Sequence, residues 1–272
     1  MDTSGFMLKL SLQAGVAVVK NKRPIIDFIS NRAAGIMRTD IVVTGHHNVG
    51  KSILLNKMQS MLKSKYPVKP SMSEDVEINV IRVNDDFFPA KAVVIPGQKN
   101  REQIDGFRKF ITNNNNLKGV IHVVDWGYTK PRDRNIEMDY VARDIKSIED
   151  LRNIMLESEL QYLSSLIEIL KGAKSSLKWM IVVINKADLF HDRQHDAWYY
   201  YNVKSEFQKK LSELQSYFGN NFSLDYHFSI SSRDNFHYNN EHLHSVVDEK
   251  MSEDDLVNGL INAIGLKLQG RG

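Results

Sequence analysis

The stretch GHHNVGKS at residues 45–52 limits the folds open to this chain more than any other feature. It has the pattern G-x-x-x-x-G-K-S, it follows the apolar run at residues 41–43, and a helical apolar pattern begins at Ile53. Between a strand and a helix, this pattern is typical of a loop whose backbone N–H groups surround a chain of phosphates. We therefore predict a phosphate-binding loop at a helix N-terminus, where the helix dipole also favours an anion.

Two side chains of this loop have specific expected roles. Lys51 is expected to reach the β- and γ-phosphates and to neutralise charge during catalysis, and the Ser52 hydroxyl is expected to bind Mg²⁺. The two adjacent histidines either fill the loop or approach the nucleotide, and no third metal ligand is visible beside them. The candidate nucleotide contacts in the loop are Gly45, His46, His47, Asn48, Val49, Gly50, Lys51 and Ser52.

Composition excludes several classes of protein. A length of 272 residues suits one α/β domain of roughly 170–200 residues with additions. The formal net charge of +3 is too small to indicate nucleic-acid binding, and the absence of cysteine excludes disulfides and thiolate metal sites. No apolar run reaches the roughly 18–20 residues that span a bilayer, and no signal-peptide pattern is evident, so we expect a cytoplasmic protein.

Apolar strand patterns alternate with helical patterns along the chain, which predicts an α/β fold with a mostly parallel six-stranded sheet and helices on both faces. The second and third strands are separated by a short polar turn and are expected to form an antiparallel hairpin. Strands are predicted near residues 41–43, 76–83, 90–95, 120–125, 180–184 and 226–230. Helices are predicted near residues 53–62, 101–111, 151–170, 198–218 and 256–268.

The tetrapeptide NKAD at residues 185–188 directly follows the buried strand at residues 180–184. A carboxylate accepts two adjacent N–H donors, which guanine presents at N1 and N2 and adenine does not. A pocket built on such hydrogen bonds rejects analogues that lack the donors, so Asp188 is the expected guanine discriminator. Asn185 is expected to secure the loop or to bind the far edge of the base, and the Lys186 stem is expected to cover the ring.

Together these motifs resemble those of small Ras-like P-loop GTPases of the TRAFAC class, over about residues 39–268. The phosphate loop is similar to that of Era and TrmE type bacterial GTPases, and VIPGQ at residues 94–98 is similar to bacterial MglA and Arf-like proteins. The resemblance implies a G domain that binds GTP or GDP with Mg²⁺. It also implies slow GTP hydrolysis as a molecular switch, and guanine contacts from Ser231 and Ser232.

The resemblance also assigns residues of the two switch regions. Gly97 would contact the γ-phosphate through its N–H group, and Gln98 would orient the attacking water. Ser71 would supply the Mg²⁺-binding hydroxyl that is a threonine in Ras-like proteins, with Ser73 as the alternative. A stabilising arginine comes either from this chain or from a partner.

Val94 departs from the family pattern, which has a Mg²⁺-holding aspartate at this place. Valine offers no oxygen to a hard cation, so we expect weaker Mg²⁺ retention and slow turnover. The alternative is a non-hydrolysing GTP-binding subunit of a larger complex. Asp125, the nearby acid at a strand end, is either a loop anchor or metal-associated.

Two segments lie outside the motifs. Residues 1–38 form an N-terminal extension, which either packs on the domain or docks on a partner or a membrane surface. Residues 39–272 form the G domain, with a charged insertion at about residues 127–150 that is either solvated or a partner surface. We expect an effector or a GTPase-activating protein as partner, and no nucleic acid.

Overall fold

The computed structural model describes the chain from the first predicted strand onward, and the predicted extension at residues 1–38 lies outside the described residues. For residues 62–63, 77–82 and 89–94 the structure describes the backbone alone. The described residues are 41–63, 77–82, 89–94, 108, 111–131, 133–172, 177–247 and 252–269.

A six-stranded sheet forms the centre of the described structure. Its strands are β1 (Ile41–Thr44), β2 (Glu77–Arg82), β3 (Pro89–Val94), β4 (Gly119–Val124), β5 (Trp179–Ile184) and β6 (Ser223–Phe228). They lie in the order β2-β3-β1-β4-β5-β6. Neighbouring strands are parallel except for the antiparallel pair β2–β3. The mostly parallel six-stranded sheet and the antiparallel hairpin are both confirmed.

Helices cover both faces of this sheet, as predicted. The α-helices with described bounds are α1 (Lys51–Lys63), α2 (Arg134–Ala142), α3 (Ile148–Lys171), α4 (Gln194–Asn202), α5 (Glu206–Phe218) and α6 (Glu253–Leu268). Buried side chains of α3, α4 and α5 pack on one face, and those of α1 and α6 pack on the other. Among the helices whose residues are described, none has the length and apolar character needed to cross a bilayer.

The interior strand β5 shows how one strand supplies side chains to both faces of the sheet. Its six residues are all buried. Met180, Val182 and Ile184 join the core under α3 and α5, whereas the alternate residues Ile181 and Val183 join the core under α1 and α6. Because successive side chains of a strand point to opposite faces, a strand covered on both sides reads as a continuous apolar run.

The predicted helix at residues 198–218 is wrong in one respect, because the structure divides it into α4 and α5. The Ser205 hydroxyl accepts a hydrogen bond of 3.0 Å from the Gln208 N–H group and thereby caps the start of α5. A serine at this position satisfies an N–H group that has no partner within the helix, so a new helix begins there.

Two further differences affect the site. The last strand of the sheet ends at Phe228 rather than at Ile230, so the residues before Ser231 belong to a loop. Beyond that loop lies an antiparallel hairpin of β7 (Phe236–Tyr238) and β8 (Glu241–Leu243), which was not predicted. Strands of three residues are too short to show a clear alternating pattern.

Candidate functional site

Glycine is required at both ends of the phosphate loop. Gly45 has a φ of +141°, and a Cβ atom there would lie 2.2 Å from the Val123 carbonyl oxygen. Gly50 has a φ of +91°, and a Cβ atom there would lie 2.5 Å from Asn185 Nδ2. Both positions combine a backbone conformation that L-residues disfavour with a close approach to a neighbouring strand or loop. The motif glycines therefore fix the shape of the loop.

The loop leads directly into α1, which begins at Lys51. Asn48 has a φ of +56°, a left-handed conformation that asparagine adopts more readily than most residues. Val49 is fully buried and anchors the loop in the core. The N-terminus of α1 carries the positive end of the helix dipole, and its first turn has no acidic residue, so this end is suited to an anion.

The Lys51 ammonium lies across the loop that it follows. Its Nζ atom donates hydrogen bonds to the Gly45 carbonyl at 2.9 Å and to the His46 carbonyl at 2.6 Å. Lys51 is buried, so its charge acts in surroundings that screen it less than bulk water does. A cation held here is well placed to neutralise phosphate charge.

The two histidines of the loop differ in their surroundings. His46 is buried, and its Nε2 atom lies 2.9 Å from Ser158 Oγ on α3. The His47 ring is partly exposed and its centroid lies 4.0 Å from that of His46. These contacts favour the loop-filling interpretation for His46, and they connect the phosphate loop to α3.

A third histidine lies under the loop and was not singled out from the sequence. His122 of β4 is buried, and its Nδ1 atom lies 2.9 Å from the Thr44 hydroxyl. Burial, together with the positive charge of Lys51, lowers the pKa of His122 to about 3. The imidazole is therefore neutral at physiological pH and does not compete with Lys51 for an anion. Its only sequence signal is a polar residue within an apolar strand.

Asn185 connects three loops of the site. Its Nδ2 atom donates to the Val49 carbonyl at 2.8 Å and to Ser231 Oγ at 2.9 Å, and its Oδ1 atom accepts from the Ser231 N–H group at 3.0 Å. Asn185 is fully buried. Of the two roles expected for it, these bonds show the loop-securing one.

Lys186 is held by the loop that follows β4. Its Nζ atom donates to Asp125 Oδ2 at 2.5 Å and to the Tyr128 carbonyl at 2.7 Å. The buried Asp125 carboxylate also accepts from the Thr129 hydroxyl, at 2.9 Å to each oxygen. Asp125 is therefore a loop anchor, and its carboxylate is engaged rather than turned towards a metal.

A buried acid of α3 supports this same loop. Glu159 Oε1 accepts from the N–H groups of Asp125 and Gly127, each at 3.2 Å, and Oε2 accepts from the Tyr201 hydroxyl at 2.6 Å. Burial, and then the negative charge of Asp125, raises the pKa of Glu159 well above its usual value. Glu159 was not predicted from the sequence, although its place between Met155 and Leu163 on the apolar face of a helix was a usable signal.

Asp188 has the clearest unmet hydrogen-bonding capacity in the site. Only 2% of its surface is exposed, and neither carboxylate oxygen has a hydrogen-bond partner among the described residues. Burial raises the pKa of Asp188. The nearby Ser245 hydroxyl offsets part of that rise, although it is not in hydrogen-bonding geometry with the carboxylate. A buried carboxylate without donors is costly unless a ligand supplies them.

Asp188 is one of the residues that line a pocket next to the phosphate loop. The pocket is lined by Asn48, Gly50, Ile53, Lys130, Lys186, Asp188, Leu189, Ser231, Ser232, Asp234 and Phe236. The structure thus brings the predicted loop, NKAD and serine motifs to one place. Lys130, Asp234 and Phe236 were not predicted, because they come from the charged insertion and from the region of the unpredicted hairpin.

The predicted switch residues Ser71, Gly97 and Gln98 lie outside the described residues. Val94 is the last residue of β3, where its backbone is paired with Val43 of β1. Ser52, at the second position of α1, is the predicted Mg²⁺ ligand that the structure does describe. No group of three or more acidic or histidine side chains within the described ranges is arranged to hold a metal ion.

The fold defines an α/β domain of the P-loop class, and the recognised motifs meet at one pocket beside the loop. Residues 40–186 match the family model described as "50S ribosome-binding GTPase". Since this match spans more than half of the chain, the protein belongs to this family of P-loop GTPases.

The chain is also similar to individual proteins, of which two illustrate the relationship. Over 109 residues the chain is 29% identical to the probable GTP-binding protein EngB of Latilactobacillus sakei subsp. sakei (strain 23K), covering 38% of this chain and 54% of that protein. A crystal structure of bacterial selenocysteine-specific elongation factor EF-Sec aligns with a TM-score of 0.42 at 15% identity, over 86% of this chain and 29% of that one. The chain thus spans about half the length of the curated relative that it matches.

Proposed function

We propose that this chain binds GTP and GDP with Mg²⁺, hydrolyses GTP slowly, and acts as a switch whose two states are recognised by another protein. The observation that supports guanine binding most directly is the Asp188 carboxylate. It is buried, it lacks donors among the described residues, and it lines a pocket beside the phosphate loop. Guanine supplies the two adjacent N–H donors that this carboxylate needs.

Each half of the nucleotide has residues suited to it. The backbone N–H groups of the phosphate loop and the Lys51 ammonium would bind the β- and γ-phosphates. Lys186, whose ammonium is fixed by Asp125, would cover the base with its stem. Ser231 and Ser232 lie at the pocket edge and would contact the guanine ring. Ser52 would hold Mg²⁺ together with phosphate oxygens, and the ion would neutralise charge on the phosphates.

Hydrolysis rests on residues outside the described ranges. Gln98 would orient the attacking water, the Gly97 N–H group would contact the γ-phosphate, and Ser71 would supply a second hydroxyl to Mg²⁺. The more specific resemblances, to Era and TrmE type proteins in the phosphate loop and to MglA and Arf-like proteins in the second switch, remain predictions. So does a cytoplasmic location.

Val94 supports a second candidate function, a structural subunit that retains GTP without hydrolysing it. Valine ends β3, the strand that pairs with the strand before the phosphate loop, where the family pattern has a Mg²⁺-holding aspartate. Weaker hold on Mg²⁺ would slow turnover. Gln98 favours the switch, because a pure binder has no use for a water-orienting side chain.

Partners are proposed on the same basis. We propose an effector or a GTPase-activating protein, and membership of a larger complex if the second function holds. Residues 1–38 would provide docking on a partner or a membrane surface. The matched family is described as ribosome-binding, but the small net charge of +3 gives us no reason to propose direct nucleic-acid contact for this chain.

Nucleotide analysis tests the proposal. The purified protein is denatured, the released nucleotide is identified by chromatography, and single-turnover hydrolysis of added GTP is measured for the wild type and Gln98→Ala. GTP converted to GDP, with a slower rate in the variant, supports the switch. Retained GTP with no turnover in either protein favours the structural subunit. Bound adenine nucleotide contradicts the guanine assignment.

A further inference from the structure

The pocket has a wall that none of the recognised motifs supplies. Lys130 comes from the charged insertion. Asp234 lies at the end of the loop that carries Ser231 and Ser232, and Phe236 is the first residue of the β7–β8 hairpin. These residues line the same pocket as Lys186 and Asp188. The described structure therefore places two segments beyond the motifs next to the site of the nucleotide.

The hairpin is firmly attached to the rest of the domain. Tyr238 is fully buried, and its hydroxyl donates to the Ile145 carbonyl at 2.7 Å. The Val246 N–H group donates to the Asp188 carbonyl at 3.0 Å, so the chain after the hairpin is fixed to the loop that carries Asp188. The hairpin is thus held at Tyr238, next to its turn, and at Val246, beyond its second strand. It therefore provides a rigid pocket wall rather than a loose loop.

Lys130 connects this wall to the phosphate loop. Its carbonyl oxygen accepts from Asn48 Nδ2 at 3.4 Å, and its Nζ atom donates to the Asn235 carbonyl at 3.0 Å. The same Nζ atom lies 5.9 Å from the centre of the Phe236 ring. The side chain is exposed, so its ammonium can exchange one partner for another at little cost in desolvation.

The position of Lys130 indicates which part of a nucleotide it would meet. In the proposed binding mode, Lys51 and the loop N–H groups bind the phosphates, and Asp188 and Lys186 bind the base. Lys130 lies between these two parts. Its carbonyl oxygen is bonded to Asn48 on the phosphate side, and its ammonium is bonded to the Asn235 carbonyl on the base side. In a nucleotide, the group between the base and the phosphates is the ribose.

We propose that Lys130 is a ribose-binding residue, whose ammonium donates hydrogen bonds to the ribose hydroxyls of a bound guanine nucleotide. This inference rests on the proposed guanine-nucleotide binding and adds a contact that none of the recognised motifs includes. A lysine ammonium has three donors and no acceptor, and hydroxyl oxygens can accept from it.

A chemical double-mutant cycle tests the proposal with GDP and 2′,3′-dideoxy-GDP, whose ribose lacks both hydroxyls. Affinities are measured for the full-length wild type and Lys130→Met, which keeps the stem and removes the charge. We expect Lys130→Met to weaken GDP binding about tenfold and dideoxy-GDP binding less than twofold, because a hydrogen bond from a charged donor is lost only with GDP. Lys204→Met removes an exposed charge elsewhere and should change neither affinity.

Two results would overturn the ribose assignment while leaving guanine binding intact. If Lys130→Met weakens GDP and dideoxy-GDP equally, Lys130 acts on the base or the phosphates. If it weakens neither, Lys130 only supports the hairpin. A wild type that binds neither nucleotide would overturn the proposed function itself, and this inference with it. Thermal unfolding of each variant shows whether the fold is retained.

Discussion

The two halves of the candidate site are built in different ways. The phosphate half comes from one continuous stretch, and the hydrogen bond from Lys51 to Gly45 joins residues six positions apart. The base half is assembled from distant segments. The bond from Asn185 to Val49 spans 136 positions, and the bond from Lys186 to Asp125 spans 61.

This difference determines how each half should respond to substitution. In the phosphate half, the shape of the backbone determines function, so an added Cβ atom at a glycine is the most damaging change. In the base half, the positions of buried polar groups determine function, so the sensitive changes are those that remove or unpair such a group. The following substitutions test that contrast.

The largest effect is expected for Gly45→Ala in the phosphate half. The new Cβ atom would lie 2.2 Å from a backbone oxygen, at a φ of +141°. We expect the free energy of unfolding to fall by about 3 kcal/mol or more, measured by urea denaturation without nucleotide.

Gly259→Ala is the matched control for that change. Gly259 lies within α6, and nothing lies within 4 Å of the Cβ position there. Alanine should stabilise that helix by about 0.5–1 kcal/mol. Equal stability of the two variants would show that the phosphate loop adapts its backbone, and the contrast between the halves would fail.

In the base half, Asp188→Ala is expected to change stability and binding in opposite directions. Without nucleotide, removing a buried carboxylate that lacks donors should leave the free energy of unfolding unchanged or raise it by about 1 kcal/mol. GDP affinity should fall at least about 100-fold, because the acceptor for the guanine N–H groups is lost. Urea denaturation and calorimetric titration measure the two effects.

Asp192→Ala removes an exposed carboxylate away from the pocket and should alter neither quantity. If Asp188→Ala destabilises the nucleotide-free protein by more than 1 kcal/mol, the Asp188 carboxylate has a structural partner. Its role as the acceptor for the base would then be wrong.

The same contrast explains what the sequence predicted well. The strand–loop–helix arrangement around residues 45–52 was predicted because its requirements are local, namely two glycines, a strand before and a helix after. The sheet and most helices were predicted because their apolar periodicities are long. The NKAD tetrapeptide was located by the buried strand before it, and two of its residues, Lys186 and Asp188, do line the pocket.

The sequence did not reveal several groups that support the two halves of the site. Glu159, His122 and Lys130 act on segments far from them along the chain, and no local pattern reports such contacts. The hairpin at Phe236–Tyr238 and Glu241–Leu243 has strands too short for a periodicity. Its hydrogen bonds reach distant segments, since the Asn239 N–H group donates to Glu137 of α2 and the Ile148 N–H group of α3 donates to Glu241. The roles of Ser71, Gly97 and Gln98 remain predictions.

A smaller effect, and one that depends on pH, is expected for Glu159→Gln. Burial raises the pKa of Glu159 in the folded protein, whereas in the unfolded chain it stays near 4.5. The folded state therefore holds this proton more tightly. The stability that results is fully present below pH 4.5 and is lost as the pH rises towards the folded pKa. Glutamine stays neutral and keeps an acceptor oxygen for the Asp125 and Gly127 N–H groups.

Urea denaturation at pH 5 and pH 8 measures this effect. The stability of Glu159→Gln relative to the wild type should increase between the two values, by about 1 kcal/mol or more. Glu157→Gln, at an exposed position of the same helix, should show no comparable change. A relative stability that does not change with pH would mean that Glu159 is ionised in the folded protein.

The smallest effect is expected where the two halves meet, at the contact between Ser158 of α3 and His46 of the phosphate loop. Ser158→Ala removes one partly buried hydrogen bond and should lower the free energy of unfolding by about 1 kcal/mol. Ser165→Ala, on the same helix, removes an exposed bond to the Gln161 carbonyl and should cost less than about 0.5 kcal/mol. If the two variants are equally stable, α3 supports the base half through Glu159, and its Ser158 hydroxyl does not hold the phosphate loop. The loop would then rest on its glycines, on the buried Val49 and on the bond from Asn185 to the Val49 carbonyl, so the link between the two halves would run through Asn185 rather than through Ser158.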